Sequence, residues 1–426
     1  MSPSAQAADT PKPARRRRRA ILLALIPLAL LLAGMLLMLR PSTLADIALK
    51  QLGAATGLEI QAASARYGLG ATPYISLDDV SARATGSAKP LFQARRVYLA
   101  VPWKTLRRRG QVLDIERIEL DAPSLDLAAL QSWQQSRPAS AAETRLPTLL
   151  RGLGIREGRV QGEGWRVENL QADIPHFAPD APLQAALQGR SLTGSTRLDF
   201  DLNLALSKAA ISTGLGVSGQ LEVADATWRL PARIRLRAHL HQQDGHLILE
   251  RARLSTALQY LPEDGAPLAL AFGAYGRLHW ASGTITAEPL AIAIRGQASI
   301  PDFSAYGRLA LDENLHLALQ GELPHWPSSW PALPAPLHAS RSPLPFAIGY
   351  QGDADFSAPL DLQLRRDDSH LEARLRIRQM QAWLAQDAHS SPLPPLQGKV
   401  STPRLIVEGA VLEGVEIGIE DPSLSP

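Results

Sequence analysis

Three histidines, His239, His241 and His246, fall close together in the chain. Successive side chains of an extended segment point to opposite faces, so His239 and His241 share one face. A four-residue loop, Gln242 to Gly245, would bring His246 opposite His241. Three imidazoles are a zinc-ligand set. Arg237 shares that face, however, and the spacing fixes no carboxylate beside the rings of the kind that orients metal-bound histidines. The group reads as an exposed polar strand face. Asp199 and Asp201 also share a face, about 6.6–7 Å apart. That overlaps the separation of about 6.5–9.5 Å between the two carboxylates of inverting glycosidases. Such chemistry needs an apolar pocket that keeps one carboxyl protonated, and the residues around this pair form a polar face. Gly214-Leu-Gly216-Val-Ser-Gly219 has the glycine spacing of a dinucleotide loop. That loop must open a helix whose N-terminus faces the pyrophosphate, whereas Gln220–Val223 continues as strand. Asp367 and Asp368 are turn residues by type.

Other chemistries are excluded by composition. The 426 residues contain no cysteine, which removes thiolate catalysis, cysteine-ligated metals and disulfides. No nucleophile elbow, P-loop, zinc-protease or kinase signature occurs. The chain is read as a non-enzyme without a cofactor. Its net charge of +3 is a local effect. Lys12, Arg15 to Arg19 and Arg40 stand against Asp9 in residues 1–40; removing these from 44 basic and 41 acidic residues leaves 37 against 40. The basic balance therefore belongs to a short tail, and no nucleic-acid face is expected.

The elements that carry these residues begin with Ala20 to Leu39, twenty residues without a charge. At about 1.5 Å per residue they span about 30 Å, the thickness of a bilayer's hydrocarbon core. A cleaved signal peptide has a shorter apolar run, about 7–15 residues. Arg15, Arg16, Arg17, Arg18 and Arg19 precede the span and set its topology. The tail 1–19 stays cytoplasmic, 20–39 crosses the membrane once, and everything after Arg40 is exported. Thr43 to Leu52 has helical periodicity.

Beyond Gly57 the period becomes two. In Arg197–Leu206, Leu198, Phe200, Leu202, Leu204 and Leu206 oppose Arg197, Asp199, Asp201 and Asn203. In Arg233–His241, Ile234, Leu236, Ala238 and Leu240 oppose the arginines and histidines, and Leu247 and Leu249 follow. Leu371–Ile377 alternates likewise. Turn residues at Asp244-Gly245, Ser282-Gly283, Asp312-Glu313-Asn314 and Asp367-Asp368 join strands into hairpins. Short helices are expected only at 43–52, 103–109, 127–133 and 379–386. The prolines of 324–345 make that stretch a long loop or a break between sheet segments. The fold class is mainly β: an N-terminal transmembrane helix, then an antiparallel sheet with few helices. So few helices leave a long apolar sheet face uncovered. The sheet must close on itself, stack, or curl around something apolar.

The order of elements resembles the AsmA family of Gram-negative envelope proteins. The likeness rests on the basic tail and span, Ile75-Ser-Leu-Asp-Asp-Val80, Pro90-Leu-Phe-Gln-Ala-Arg-Arg-Val97, and Val101-Pro-Trp-Lys-Thr-Leu106. It extends through Ile115-Glu-Arg-Ile-Glu-Leu-Asp-Ala-Pro123 and Ser124–Leu127, and the glycine-punctuated strands of 396–419 are similar to the family's repeats. The resemblance implies a β-taco, a curled sheet with an apolar groove, anchored in the bacterial inner membrane with its bulk in the periplasm. It also implies phospholipid or another acyl-chain lipid as ligand, and possible contact with outer-membrane assembly components. On that reading 41–130 is the family's N-terminal β module, 145–323 the antiparallel β groove, 324–345 a Pro/Trp-rich loop and 346–426 a C-terminal β segment. The groove lining is nominated from the strongest strands: Leu198, Phe200, Leu202, Leu204, Leu206, Ile234, Leu236, Leu240, Leu247 and Leu249. Two competing expectations are a scaffold that adds client strands to its sheet edges and an envelope hydrolase with an unrecognised site.

Overall fold

The computed structural model describes residues 57–108, 114–135, 146–243, 246–263, 266–281, 283–297, 300–328, 330, 333, 335, 337–384, 395–407 and 410–421. The expected span 20–39, its arginines 15–19 and the helix 43–52 lie outside them. No helix among the described residues is long and apolar enough to cross a membrane. The chain divides into two units, one made of residues up to Ser195 with Asn203–Ile211 and Gln242–Gly245, the other of Thr196–Leu202, Ser212–His241 and His246 onward.

The first unit is built on β3 (Tyr74–Ala84), a strand of alternating buried apolar residues. β1 (Leu58–Gln61) and β2 (Ser64–Gly68) pair with one of its edges, and β4 (Pro90–Ala100) with the other. After β4 come α1 (Trp103–Arg107), β5 (Asp114–Ile115), β6 (Arg117–Asp121), β7 (Ser124–Asp126), α2 (Leu127–Gln135) and β8 (Thr148–Leu149). β9 (Leu153–Gln161), β10 (Trp165–Ile174) and β11 (Leu183–Thr193) follow as antiparallel neighbours. One local rule starts α2: the Asp126 carboxylate accepts from the Ala129 amide at 2.9 Å, an N-cap that satisfies an orphan donor. The helix then turns Leu130 and Trp133 into a core with Leu58, Leu91, Ile115 and Leu149.

This unit departs from the expected all-antiparallel pattern. β6 and β7 pair with β9 in parallel, and β5 pairs with β8 in parallel. A parallel pair needs a crossover connection, and the segment containing α2 supplies it. Period two tells which face a residue occupies but not which strand lies beside it.

The second unit is an antiparallel meander. Its strands are β12 (Thr196–Leu206, of which Thr196–Leu202 belong here), β13 (Ser212–Ala224), β14 (Trp228–Gln243), β15 (His246–Pro262) and β16 (Leu268–Ala281). Then come β17 (Thr284–Arg295), β18 (Phe303–Leu311), β19 (Leu315–Leu323), β20 (Leu344–Gly352), β21 (Leu360–Arg366) and β22 (Ser369–Leu375). α3 (Ile377–Leu384), β23 (Leu396–Val407) and β24 (Ala410–Ile419) complete it. The expected turns close hairpins at Leu311↔Leu315 and Arg366↔Ser369, with Asp367 at φ +51°. Asp244-Gly245 lies outside the described residues. The Leu371 strand ends at Leu375, and Ile377 already begins α3.

The described part of the proline stretch holds one short 3-10 turn, Leu337–Ala339, and is otherwise irregular before β20, and it does not break the sheet. β19 pairs directly with β20 through to Leu323↔Leu344. The loop lies back on the sheet: Trp326 packs on the cluster of Leu319, Leu323, Leu344 and Phe346, and Arg366 donates to the Ser340 carbonyl.

Two bulges reset the side-chain period. On β15 the register shifts between Leu249 and Ala252, with Arg251 at φ +50°. On β17 it shifts between Ala287 and Leu290. Each extra residue moves the following side chains to the other face. Odd-numbered Leu247 and Leu249 therefore share a face with even-numbered Ala252 and Leu254.

Candidate functional site

The second unit has two sheet faces of opposite chemistry. Across β13 and β14 the register opposes Val223 to Leu230, Leu221 to Ala232, Gly219 to Ile234, Val217 to Leu236, Leu215 to Ala238 and Thr213 to Leu240. The alternate pairs put Gln220 beside Arg233, Ser218 beside Arg235, Gly216 beside Arg237 and Gly214 beside His239. One face is thus an apolar ladder and the other polar, as period two requires. β15 and β16 continue the apolar side with Leu247 opposite Trp280, Leu249 opposite Leu278 and Leu258 opposite Leu270.

The burial of this apolar face is the feature that sets it apart. From Leu183 to Phe272, among the described residues, only Thr213, Ala224 and Ala252 are buried. Every nominated lining residue is half-buried: Leu198, Phe200, Leu202, Ile234, Leu236, Leu240, Leu247 and Leu249 in this unit, and Leu204 and Leu206 in the other. None of them belongs to a buried core cluster. Trp280, on the same face as Leu247, is 54% exposed. Single exposed apolar residues are ordinary, but a contiguous apolar face across several long strands marks an interaction surface.

The structure joins some nominated residues and separates others. Gly219 marks the contact of β12 with β13, since a Cβ there would stand 2.0 Å from the Asp201 carbonyl oxygen and 2.9 Å from the Leu202 Cα. That close approach is the role of one glycine in the dinucleotide-like spacing; all three lie inside a strand, with no helix after them. Sequence reasoning missed the β13 partners Leu215, Val217, Leu221 and Val223. Their alternation is present in the sequence but is interleaved with glycines whose spacing also fits a dinucleotide loop.

The polar groups singled out by spacing take other partners. His239 Nε2 is 3.0 Å from the Ser212 hydroxyl, and Ser212 sits opposite His241. His246 Nδ1 lies 2.9 Å from Nε2 of His279 on β16, with ring centroids 5.0 Å apart and planes within 13°. Those three values place the nitrogens nearly in line between almost coplanar rings, which is an N–H···N hydrogen bond with one ring donating. Nothing in the local spacing reveals His279, because the contact joins residues 33 positions apart. Asp199 lies 3.0 Å from Arg197, which also reaches Glu222 at 3.5 Å. Among the described residues no group of three His, Asp or Glu side chains has metal-binding geometry. Carboxyls held below their usual range lie elsewhere: Asp78 beside the Ser64 hydroxyl and Arg66, Asp355 beside Ser357, and Asp367 beside Ser342 and Ser340. The chain matches no protein-family model, and no characterised protein or solved structure shows significant similarity to it.

Proposed function

We propose that the chain is an AsmA-like, inner-membrane-anchored periplasmic protein. Its half-buried sheet face holds the acyl chains of phospholipid and passes them between envelope membranes in outer-membrane biogenesis. The observation that carries this reading is the burial of the β13–β16 apolar face, half-covered over four long strands and free of charge on that side. A curled sheet would shield acyl chains there while the arginine-bearing side faces water. Burying one methylene contributes roughly 0.8 kcal/mol, so a sixteen-carbon chain gains about 12 kcal/mol at most. A repeating ladder of similar apolar pairs keeps that energy nearly constant as a chain slides, so binding does not become a trap. No residue is required to do covalent chemistry.

Photo-crosslinking in cells tests the reading. A benzoylphenylalanine at Leu236 is expected to yield a phospholipid adduct detectable by mass spectrometry, and one at Gln220, on the opposite face of the same hairpin, is not. Protein adducts alone at Leu236 overturn the proposal.

One observation favours the scaffold alternative. Among the described strands β24 pairs only with β23. It exposes Val411 (49%), Leu412 (46%) and Ile417 (37%). An open, apolar edge accepts an added strand. A crosslinker at Leu412 that captures an outer-membrane protein, with no lipid at Leu236, would select this reading.

A further inference from the structure

The outward face of β15–β18 carries a second cluster that the apolar-face reading does not use. Arg253 on β15 lies opposite Tyr275 on β16, Tyr275 opposite Ala291 on β17, and Ala291 opposite Tyr306 on β18. The Arg253 guanidinium carbon stands 5.5 Å from the Tyr275 ring centroid, within cation–π range. Tyr275 is 45% exposed and Tyr306 63%. Arg277 and Arg308 stand two residues further along the same strands, on the same face, and both are exposed. Neither makes an ion pair among the described residues, nor does Glu288 in the bulge of β17 between them. Elsewhere on this protein's sheets arginines do meet carboxylates, as Arg374 meets Asp361 at 2.9 Å.

The exposure of these rings does not come from a poorly packed region. On the other side of the same strands Leu278, Ile292 and Leu309 pack against the buried cluster of Ala287, Leu290 and Leu319. Tyr306 is therefore held outward by a closed core beneath it, and Tyr275 stands at the margin where that core meets the ladder. Two projecting rings, three arginines and an intervening alanine make a raised, positive, amphipathic patch. A tyrosine of this kind partitions to the membrane–water interface, where its ring meets the acyl boundary and its hydroxyl stays wet. Guanidinium groups bind phosphates bidentately and are drawn to anionic leaflets. A protein partner would have to offer pockets shaped for both rings, whereas a bilayer interface needs none.

We propose that this face docks on the anionic headgroup layer of a bilayer, a contact distinct from acyl-chain capture on the opposite side of the sheet. The chain contains no cysteine, so a single Ala291→Cys substitution, at an exposed site between the two tyrosines, takes one environment-sensitive fluorophore. Full-length chain held in an amphipathic polymer is mixed with vesicles of phosphatidylcholine alone or with 30% phosphatidylglycerol. A label at Gln220→Cys serves as reference for binding by any other part of the molecule. The expected result is a blue shift at position 291 with the anionic vesicles only, absent at position 220 and weakened by 0.5 M salt. Replacing Arg253, Arg277 and Arg308 by Gln should weaken that response at least fivefold, and Tyr306→Ser at least twofold, with unchanged circular dichroism melting. Equal shifts at 220 and 291, or no shift at 291 with either vesicle, overturn the proposal. So does a shift with poly-glutamate but not with vesicles, which would assign the face to an acidic protein. Lipid adducts at Leu236 are scored separately, so either contact can fail without the other.

Discussion

The core around β3 and the ladder of β13–β16 use the same residue alphabet to different ends. Both are strands of alternating aliphatic and polar residues. Around β3 the apolar side is sealed: Leu91 is 1% exposed and Ile115 0%. In the ladder the equivalent leucines stay half-buried over four strands. Composition does not explain the contrast. What differs is a cover. The crossover segment of the first unit carries α2, whose Leu130 and Trp133 close over the sheet. Hairpin after hairpin in the ladder provides no segment long enough to return across the face. The end of the second unit shows the intermediate case, since the loop after β19 brings Trp326 down on β19 and β20 and buries them. A sheet face here is closed where the connection is long and stays open where the connection is a tight turn.

The sealed core offers the largest test of that rule. Leu91→Ala should cost about 2–5 kcal/mol, the range for a fully buried leucine whose cavity cannot collapse. Urea unfolding read by local hydrogen exchange is expected to show the loss in β3, β4 and α2. A cost under 1 kcal/mol would mean the first unit is no better closed than the ladder. Trp326→Ala comes next. It removes a half-buried loop ring that packs on the β19–β20 cluster, and about 2 kcal/mol is expected, below the usual 3–5 for a fully buried tryptophan. Protease sensitivity should rise in β19 and β20 and leave β13–β16 unchanged.

Leu236→Glu probes the open side. In a sealed core an unpaired carboxylate would unfold the region. On a half-covered face the new group reaches water, so thermal melting should move by the equivalent of about 1 kcal/mol or less, while lipid adducts on that face disappear. Cooperative unfolding lost at 37 °C would show that this face is a core after all, and the lipid reading would lose its main support.

Much of this contrast is legible in the residues and some of it is not. The alternation of β12 and β14 and the turns at Asp312–Asn314 and Asp367 follow from side-chain type alone, because period and turn chemistry are local. The shortage of helices shows only that the apolar face lacks a helical cover; whether the sheet closes, stacks or stays open is not written in the residues. Partners at long range stayed hidden. His246 carries no mark that it will meet His279, and β6 none that it will lie parallel to β9. The bulges at Arg251 and at Glu288-Pro289 hide continuity, since the apolar period changes parity there and the strand looks interrupted. Trp326 could be read as a loop residue but not as a lid, because a lid is defined by where the loop returns.

Charge provides the smallest test, and it asks whether the contrast between the units is one of packing alone. Asp78 on β3 accepts from the Ser64 hydroxyl at 2.8 Å and from Arg66 at 2.9 Å. The serine bond, ahead of the arginine, holds the carboxyl below its usual value. A carboxyl whose folded value is depressed stabilises the fold above its unfolded value of about 3.9. That contribution is then lost as the pH falls through the lower folded value. Arg66 is 67% exposed, so solvent and salt screen its share. Asp78→Asn should therefore cost about 0.5 kcal/mol at pH 7, and the difference should fade as the pH falls through the carboxyl's lowered folded value, where the wild-type group is itself protonated. Ser64→Ala should reproduce most of the effect, and 0.5 M salt should remove only the arginine part. In the second unit Asp355 and Asp367 are depressed in the same direction by serine hydroxyls. Acid therefore acts on both units with one sign. If hydrogen exchange at pH 3 loosens β13–β16 no more than β2–β3, charge is not what distinguishes the ladder, and its openness rests on the missing cover. Selective loosening of the ladder in acid would instead assign the difference to electrostatics and overturn the packing account.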